Sequence, residues 1–156
     1  MDLDQQIQEL IEQAPQDGVT PDAVRAIAPV LKLIAGQLKH PQYFVLQTLD
    51  GRWIMTTLSH RTQPNTQKNM FYAYADLKDA TASPYAKDPQ VVALPVAATH
   101  ILFQMVAMTT VDSAIFFETS GNVNSGTEVL RSDVQNLIQA HLQQFKQGSR
   151  PPTDIA

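Results

Sequence analysis

The sequence predicts an α+β domain: a mixed or antiparallel sheet of about five strands with packed helices, preceded by an N-terminal helical hairpin. Three observations predict it. Residues 69–145 read in order as strand, acidic turn, strand, apolar helix, strand, polar loop and capped helix. Upstream, Asp50-Gly51 stands between two β-rich runs, and such a pair tolerates the positive φ of a tight hairpin turn. Further upstream, two segments carry apolar stripes at helical spacing.

The first helix is read from Leu3, Ile7, Leu10, Ile11 and Ala14, one apolar stripe with Gln and acids opposite. Pro15-Gln16-Asp17-Gly18 ends it. Thr20-Pro21 restarts a helix with a capping hydroxyl and a proline at the first helical position. Val24, Ile27, Ala28, Leu31, Ile34 and Leu38 form its buried stripe, and Pro29 predicts a kink or break near Ala28. His40-Pro41 closes it. Tyr43–Leu49 and Arg52–Ser59 are then expected to pair as a hairpin, with Trp53 opening the return strand.

Residues 60–69 contain no hydrophobic side chain and read as an exposed loop. A strand over Met70–Ala75, the turn Asp76-Leu77-Lys78-Asp79 and a strand over Gln90–Leu94 follow. Pro95 is expected to end that strand and open the helix Val96–Met108, which is apolar nearly all round and so expected to be buried. Ser113–Phe117 reads as an interior strand and Glu118–Gly126 as a flexible loop. Ser132 and Gln135 form a Ser-x-x-Gln capping box for a helix over Asp133–Lys146. The 156 residues thus divide into a helical hairpin (1–41), an α+β domain (42–147) and a flexible tail (148–156).

Composition limits the function classes. Hydrophobic residues make up 44%, enough for a real core, and charged residues only 17%, so the surface is easily desolvated by a partner. The net charge of −4 hides a polarity. Residues 1–22 hold six acids and no base, whereas residues 23–68 hold six bases and one acid, Asp50. Such polarity favours either packing of the acidic arm on its own basic strands or contact with another molecule, a second copy through the N-terminal helices included. The absence of cysteine excludes disulfides and thiol nucleophiles. No signal-peptide pattern and no apolar run near membrane-spanning length occurs, so a soluble cytoplasmic protein is expected.

The sequence carries no recognisable catalytic set. Its histidines, His40, His60, His100 and His141, have no metal-ligand spacing, and His100 in the apolar helix reads as a core histidine. Asp112 and Glu118 would sit at opposite ends of one strand, too far apart to act as a carboxylate pair. The glycines at 121 and 126 lack the lysine of a phosphate loop. No metal or cofactor is expected. The best surface constellation is Arg52, His60, Arg61 and Lys68, with Trp53, Tyr72 and Tyr74 nearby. Basic groups beside aromatics can hold an acidic peptide or an RNA strand. The acidic net charge and the absence of a ribonucleoprotein motif favour the protein partner over nucleic acid.

The segments FYAYADLKDA (71–80), VVALPVAATHILFQMV (91–106), VDSAIFFETSG (111–121) and LRSDVQNLIQAHL (130–142), following the strand hairpin, resemble the N-terminal domain of SseB-type proteins. The resemblance covers residues 43–142 in element order and hydrophobic rhythm. Glu118-Thr119-Ser120-Gly121 stands where that family has an Asn-Pro-x-Gly type of loop. The resemblance implies a non-enzymatic module, associated in some bacteria with secretion or amino-acid-sensitivity phenotypes, and it transfers no site residues. The expectation is a non-enzymatic interaction or regulatory module working through the first hairpin and the N-terminal helices. The alternative is a small-molecule or nucleotide sensor using the 118–126 loop.

Overall fold

The apolar stripes become helices with little adjustment. In the computed structural model, which describes residues 2–13, 20–59 and 67–149, α1 spans Leu3–Gln13 and α2 spans Thr20–Gln37. Pro29 lies inside α2 without breaking it. It faces solvent, as does Arg25 one turn earlier, so water can bond the carbonyl that Pro29 leaves without a donor. An ion pair from Lys32 to Asp4 ties α2 to α1, which is how the acidic arm is met within this chain.

Strands β1 (Gln42–Thr48), β2 (Thr56–Ser59), β3 (Gln67–Tyr74), β4 (Val91–Ala97), β5 (Ser113–Phe116) and β6 (Thr127–Leu130) form one mixed sheet. The order is β4-β1-β3-β5-β6, with β2 also on β3. Only the β3–β5 pairing is parallel. Between these strands run α3 (Leu77–Thr81), a 3₁₀ turn (Pro84–Lys87) and α4 (Ala98–Ala107), and α5 (Arg131–Ser149) follows β6.

Side chains alternate across the sheet, as the period of two requires. Tyr43, Val45, Phe71, Ala73, Ala114 and Phe116 face α1, α2, α4 and α5, and this side holds the main core. Fully buried Leu31, Ile101, Leu102, Met105 and Val134 fill it from the helices. Phe44, Leu46, Tyr72, Tyr74, Ile115 and Phe117 face the other way. There, among the described residues, α3 and the 3₁₀ turn supply Ala80 and Ala86 as cover. One face is thus roofed by four helices and the other by two short segments.

Several elements depart from the sequence reading. The expected hairpin of residues 43–59 survives as its tip: Gly51 has φ +88°, Trp53 bridges Gln47, and the Ile54 N–H bonds the Leu46 carbonyl at 3.0 Å. Beyond it the return run leaves β1, and Thr56–Ser59 pairs with β3. Extending the Phe44–Tyr74 register would place Thr48 opposite Met70; Thr56 stands there, so eight residues are looped out. Thr56–Ser59 thus continues the antiparallel pairing of β3 beyond β1, and the Asp-Gly turn is an excursion between the two. Gln67–Asn69, expected in a loop, extends β3.

Pro95 lies inside β4, because β4 is an edge strand where a missing N–H is tolerated. The Pro41 carbonyl accepts the Ala98 N–H at 2.9 Å, and α4 begins there, two residues after the expected start. α5 opens directly from β6 at Arg131, whose N–H bonds the Asp112 carbonyl at 2.9 Å, so Ser132 lies within the first turn. β6 itself has no counterpart among the expected elements. The acidic turn at residues 76–79 is the capped start of α3.

One buried polar side chain joins the N-terminal hairpin to the sheet. Gln6 is 1% exposed. Its Oε1 accepts the Thr99 N–H at 3.1 Å and the Thr99 hydroxyl at 2.7 Å, and its Nε2 donates to the Pro41 carbonyl at 2.8 Å. Ala97, at the N-cap of α4, has no side-chain cap of its own, so Gln6 satisfies one of the helix's open donors from across the chain.

Candidate functional site

The lightly covered face of the sheet carries a cleft, and alternation in β3 and β5 creates it. Tyr72 and Tyr74 project to this face because Phe71 and Ala73 are drawn into the main core. Phe117 joins them as its N–H bonds the Ala73 carbonyl at 2.9 Å. The Phe117 ring stacks on Tyr72 at 5.6 Å between centroids and 23° between planes, and leans on Tyr74 at 5.3 Å. Such offset pairs add about 0.5–1.5 kcal/mol beyond simple burial.

The walls come from α3, the 3₁₀ turn and the 118–126 loop. Asp76 caps α3 by accepting the Asp79 N–H at 2.8 Å, and its other oxygen receives the Ser120 hydroxyl. Asp79 Oδ2 accepts the Gly121 N–H at 2.9 Å. Two carboxylates of one short helix therefore hold the loop, and Gly121 supplies the positive φ of +81° that the turn needs. Ser83 caps the 3₁₀ turn through the Tyr85 N–H, and Thr56 donates to the Tyr85 hydroxyl at 2.8 Å. The resulting cavity has a volume of about 440 Å³ and is bounded by Tyr72, Tyr74, Asp79, Tyr85, Phe117 and Val123, with smaller residues between them.

The electrostatics follow from these contacts. The Ser120 hydroxyl, and then the Asp79 N–H, hold the Asp76 carboxyl below the usual carboxylate range. Burial pushes the Tyr74 phenol up, with the charge of Asp79 adding a smaller push the same way. The raised Tyr74 phenol stays neutral at physiological pH, and among the described residues Asp79 is the single charged side chain lining the cavity.

The expected basic–aromatic constellation is dispersed. Tyr72 and Tyr74 lie in the cleft. Trp53 turns to the helical face and meets Phe71 edge-on at 5.0 Å. Arg52 is exposed at the hairpin tip, paired with Asp50 at 3.1 Å. Lys68 pairs with Glu128 of β6. His60 and Arg61 lie outside the described residues. Sequence reasoning passed over Phe117 and Tyr85 as site residues, covered Val123 only within the 118–126 loop, and read Asp79 only as part of a turn. The signal for Phe117 was available: it shares the parity of Ile115 on β5, opposite to Phe116.

The remaining titratable candidates serve structure. Asp112 accepts the Asn69 N–H at 2.7 Å. Glu118, at the other end of β5, accepts the Lys39 N–H at 2.9 Å and the Tyr43 hydroxyl, while the His40 ring bonds its carbonyl at 2.6 Å. Burial, and then the bond to Glu118, pushes the Tyr43 phenol far up. His100 meets the Gln6 carbonyl at 2.9 Å and is half-buried rather than fully enclosed. Among the described residues, no cluster of His, Asp and Glu could hold a metal ion, and no helix is long and apolar enough to cross a membrane.

Two other cavities are more polar. One of about 490 Å³ lies between α1 and β4, beside Gln6, Glu9 and His100. Another of about 400 Å³ lies beside Lys68, Asp112 and Arg131. None of the family models, curated proteins or solved structures compared with the chain matches it.

Proposed function

We propose that this protein is a non-enzymatic binding domain that takes a small organic ligand in the aromatic cleft and works through the 118–126 loop. The observation that carries the reading is the cleft's construction. Three mutually packed rings floor a cavity of about 440 Å³ on the thinly covered face of the sheet, and its wall is a loop pinned by Asp76 and Asp79. An apolar concavity with a few fixed polar groups is what a ligand site needs. Asp79 and the Tyr85 hydroxyl oxygen already hold the cleft's walls, which favours binding over chemistry. Ligand contact with Gly121 or Val123 would alter the loop directly, and the altered loop is the signal that a regulatory domain passes on.

The test is a thermal-stability screen of the full chain against a small-molecule library. A ligand that binds the folded state raises the melting temperature by mass action. Ala82 lines the cleft and is exposed, so Ala82→Trp fills the space without touching the core. Hits that shift the parent and not the variant support the reading. Hits that shift both equally place the site elsewhere and overturn it.

A second reading is favoured by a different observation. Leu49 and Met55, on the looped-out segment that also bears Arg52, and Leu58, on the adjoining β2, are exposed by 69%, 38% and 50%. Exposed apolar side chains along such a segment fit a contact with a protein partner. Leu49→Ser with Leu58→Ser would then abolish co-purification of that partner at stoichiometric level, and unchanged co-purification would remove this reading.

A further inference from the structure

The cleft has a chemical preference beyond its shape, and the inference rests on its being a binding site. Four of its lining residues are aromatic: Tyr72, Tyr74, Tyr85 and Phe117. The face of an aromatic ring is the negative part of its quadrupole. Among the described residues Asp79 is the only charged one in the lining, and its Oδ2 is the oxygen held by the Gly121 N–H. The carboxylate of Asp76 stands behind it on the same helix turn, adding a second negative charge to that wall. Lys78 and Lys87, the cations nearest in sequence, are exposed and do not line the cavity. The rest of the lining is small or uncharged: Ala82, Ser83, Pro84, Gly121 and Val123.

This lining discriminates between ligand charges. Among the described residues an anion would meet the Asp79 carboxylate and no cation, and the Gly121 N–H that could have cradled it already serves Asp79. A neutral polar ligand could bond the tyrosine hydroxyls, but it would leave the Asp79 charge unmatched. A cation with alkyl surface gains from the rings through its apolar groups and from both rings and carboxylate through its charge.

We infer that the cleft binds an organic ammonium cation, with the rings of Tyr72, Tyr74, Tyr85 and Phe117 around its alkyl groups and Asp79 as its counter-charge. The cation enters from the solvent side beside Val123, which is half-exposed. Because binding places a positive charge against the carboxylate that holds Gly121, it also tightens or releases the 118–126 loop.

The test compares choline with its neutral isostere 3,3-dimethylbutan-1-ol, which has the same shape and no charge. Binding to the full chain is read by amide chemical shifts at Asp79, Gly121 and Val123. Choline is expected to bind at least about tenfold more tightly than the isostere. Asp79→Asn keeps an oxygen for the Gly121 N–H and removes the charge. It is expected to weaken choline about tenfold and leave the isostere unchanged. Equal binding of the two probes overturns the ammonium assignment while leaving the cleft a ligand site. Failure of both probes, with neutral library hits confined to the cleft, overturns it in the same way. Failure of both probes together with no library hit in the cleft overturns the assignment and the binding reading alike.

Discussion

Replacing Gln6 with leucine leaves an apolar side chain one atom shorter and removes both polar atoms that Gln6 brings to the joint between α1 and the sheet. The Thr99 N–H then has no acceptor, because it lies in the first turn of α4 where no carbonyl of its own helix is in reach. A buried orphaned donor costs about 1–3 kcal/mol, and the midpoint is about 2. The other two losses are milder. The Pro41 carbonyl keeps the Ala98 N–H at 2.9 Å, and the Thr99 hydroxyl can turn, so about 0.5 kcal/mol each is a fair cost. The total is about 3 kcal/mol, or a fall in melting temperature of about 6–12 °C for a domain of this size. Equilibrium urea unfolding measures the first quantity and calorimetry the second. Gln8→Leu is the control, since Gln8 is exposed on the same helix and reaches only Glu12; it is expected to stay within about 0.5 kcal/mol of the parent. Hydrogen exchange adds a local readout, with the Thr99 amide losing protection in the Gln6 variant. A Gln6→Leu protein as stable as the Gln8 control, with Thr99 still protected, would refute the claim that Gln6 docks the N-terminal hairpin.

Other outcomes follow from single contacts. A Cβ at Gly126 would lie 2.8 Å from the Phe116 carbonyl oxygen, so Gly126→Ala is expected to cost about 2 kcal/mol in urea unfolding. Gly36→Ala would meet Leu3 at a relaxed 3.9 Å within α2 and is expected to gain about 0.5–1 kcal/mol; equal effects of the two would contradict the packing described. Lys68 holds the Glu128 carboxyl below its ordinary range. A depressed folded-state pKa gives stability that is present above the ordinary carboxylate range and is lost as pH falls through the depressed value. Lys68→Met should therefore cost no more than about 1 kcal/mol at neutral pH, with the gap from the parent closing in acid. A gap that is constant with pH would show that the ion pair is not its source.

The parts of the fold legible in the sequence were those written in periodicity. The stripe from Leu3 to Ile11 and that from Val24 to Leu38 give α1 and α2, and the apolar run from Ile101 to Met105 gives the buried helix α4. What was not legible depends on neighbours. Whether Pro95 ends a strand or sits in one is decided by β4 being at the sheet edge, a property of topology rather than of residues 90–97. The Asp50-Gly51 turn is real, yet its return strand is claimed by β3, which offers a longer ladder. The cap of α4 comes from a residue 93 positions away, and no local window contains it.

The site was half legible for the same reason. Tyr72 and Tyr74 were singled out as aromatics beside basic residues, but strand alternation sends Trp53 to the opposite face from them. The 118–126 loop reads from its glycines, asparagines and serines as a flexible loop, and it is the site of the alternative sensor reading. Its anchoring by Asp76 and Asp79 joins residues more than forty positions apart, which composition does not reveal.

The central claim is that the aromatic cleft is where this protein meets its ligand. Amide and methyl chemical-shift mapping of the full chain, titrated with the hits of the stability screen, tests it most directly. The perturbed resonances are expected to gather on Tyr72, Tyr74, Asp79, Tyr85, Phe117 and the loop from Gly121 to Val123. Perturbations gathered instead beside Gln6 and His100, or beside Lys68 and Arg131, would contradict it.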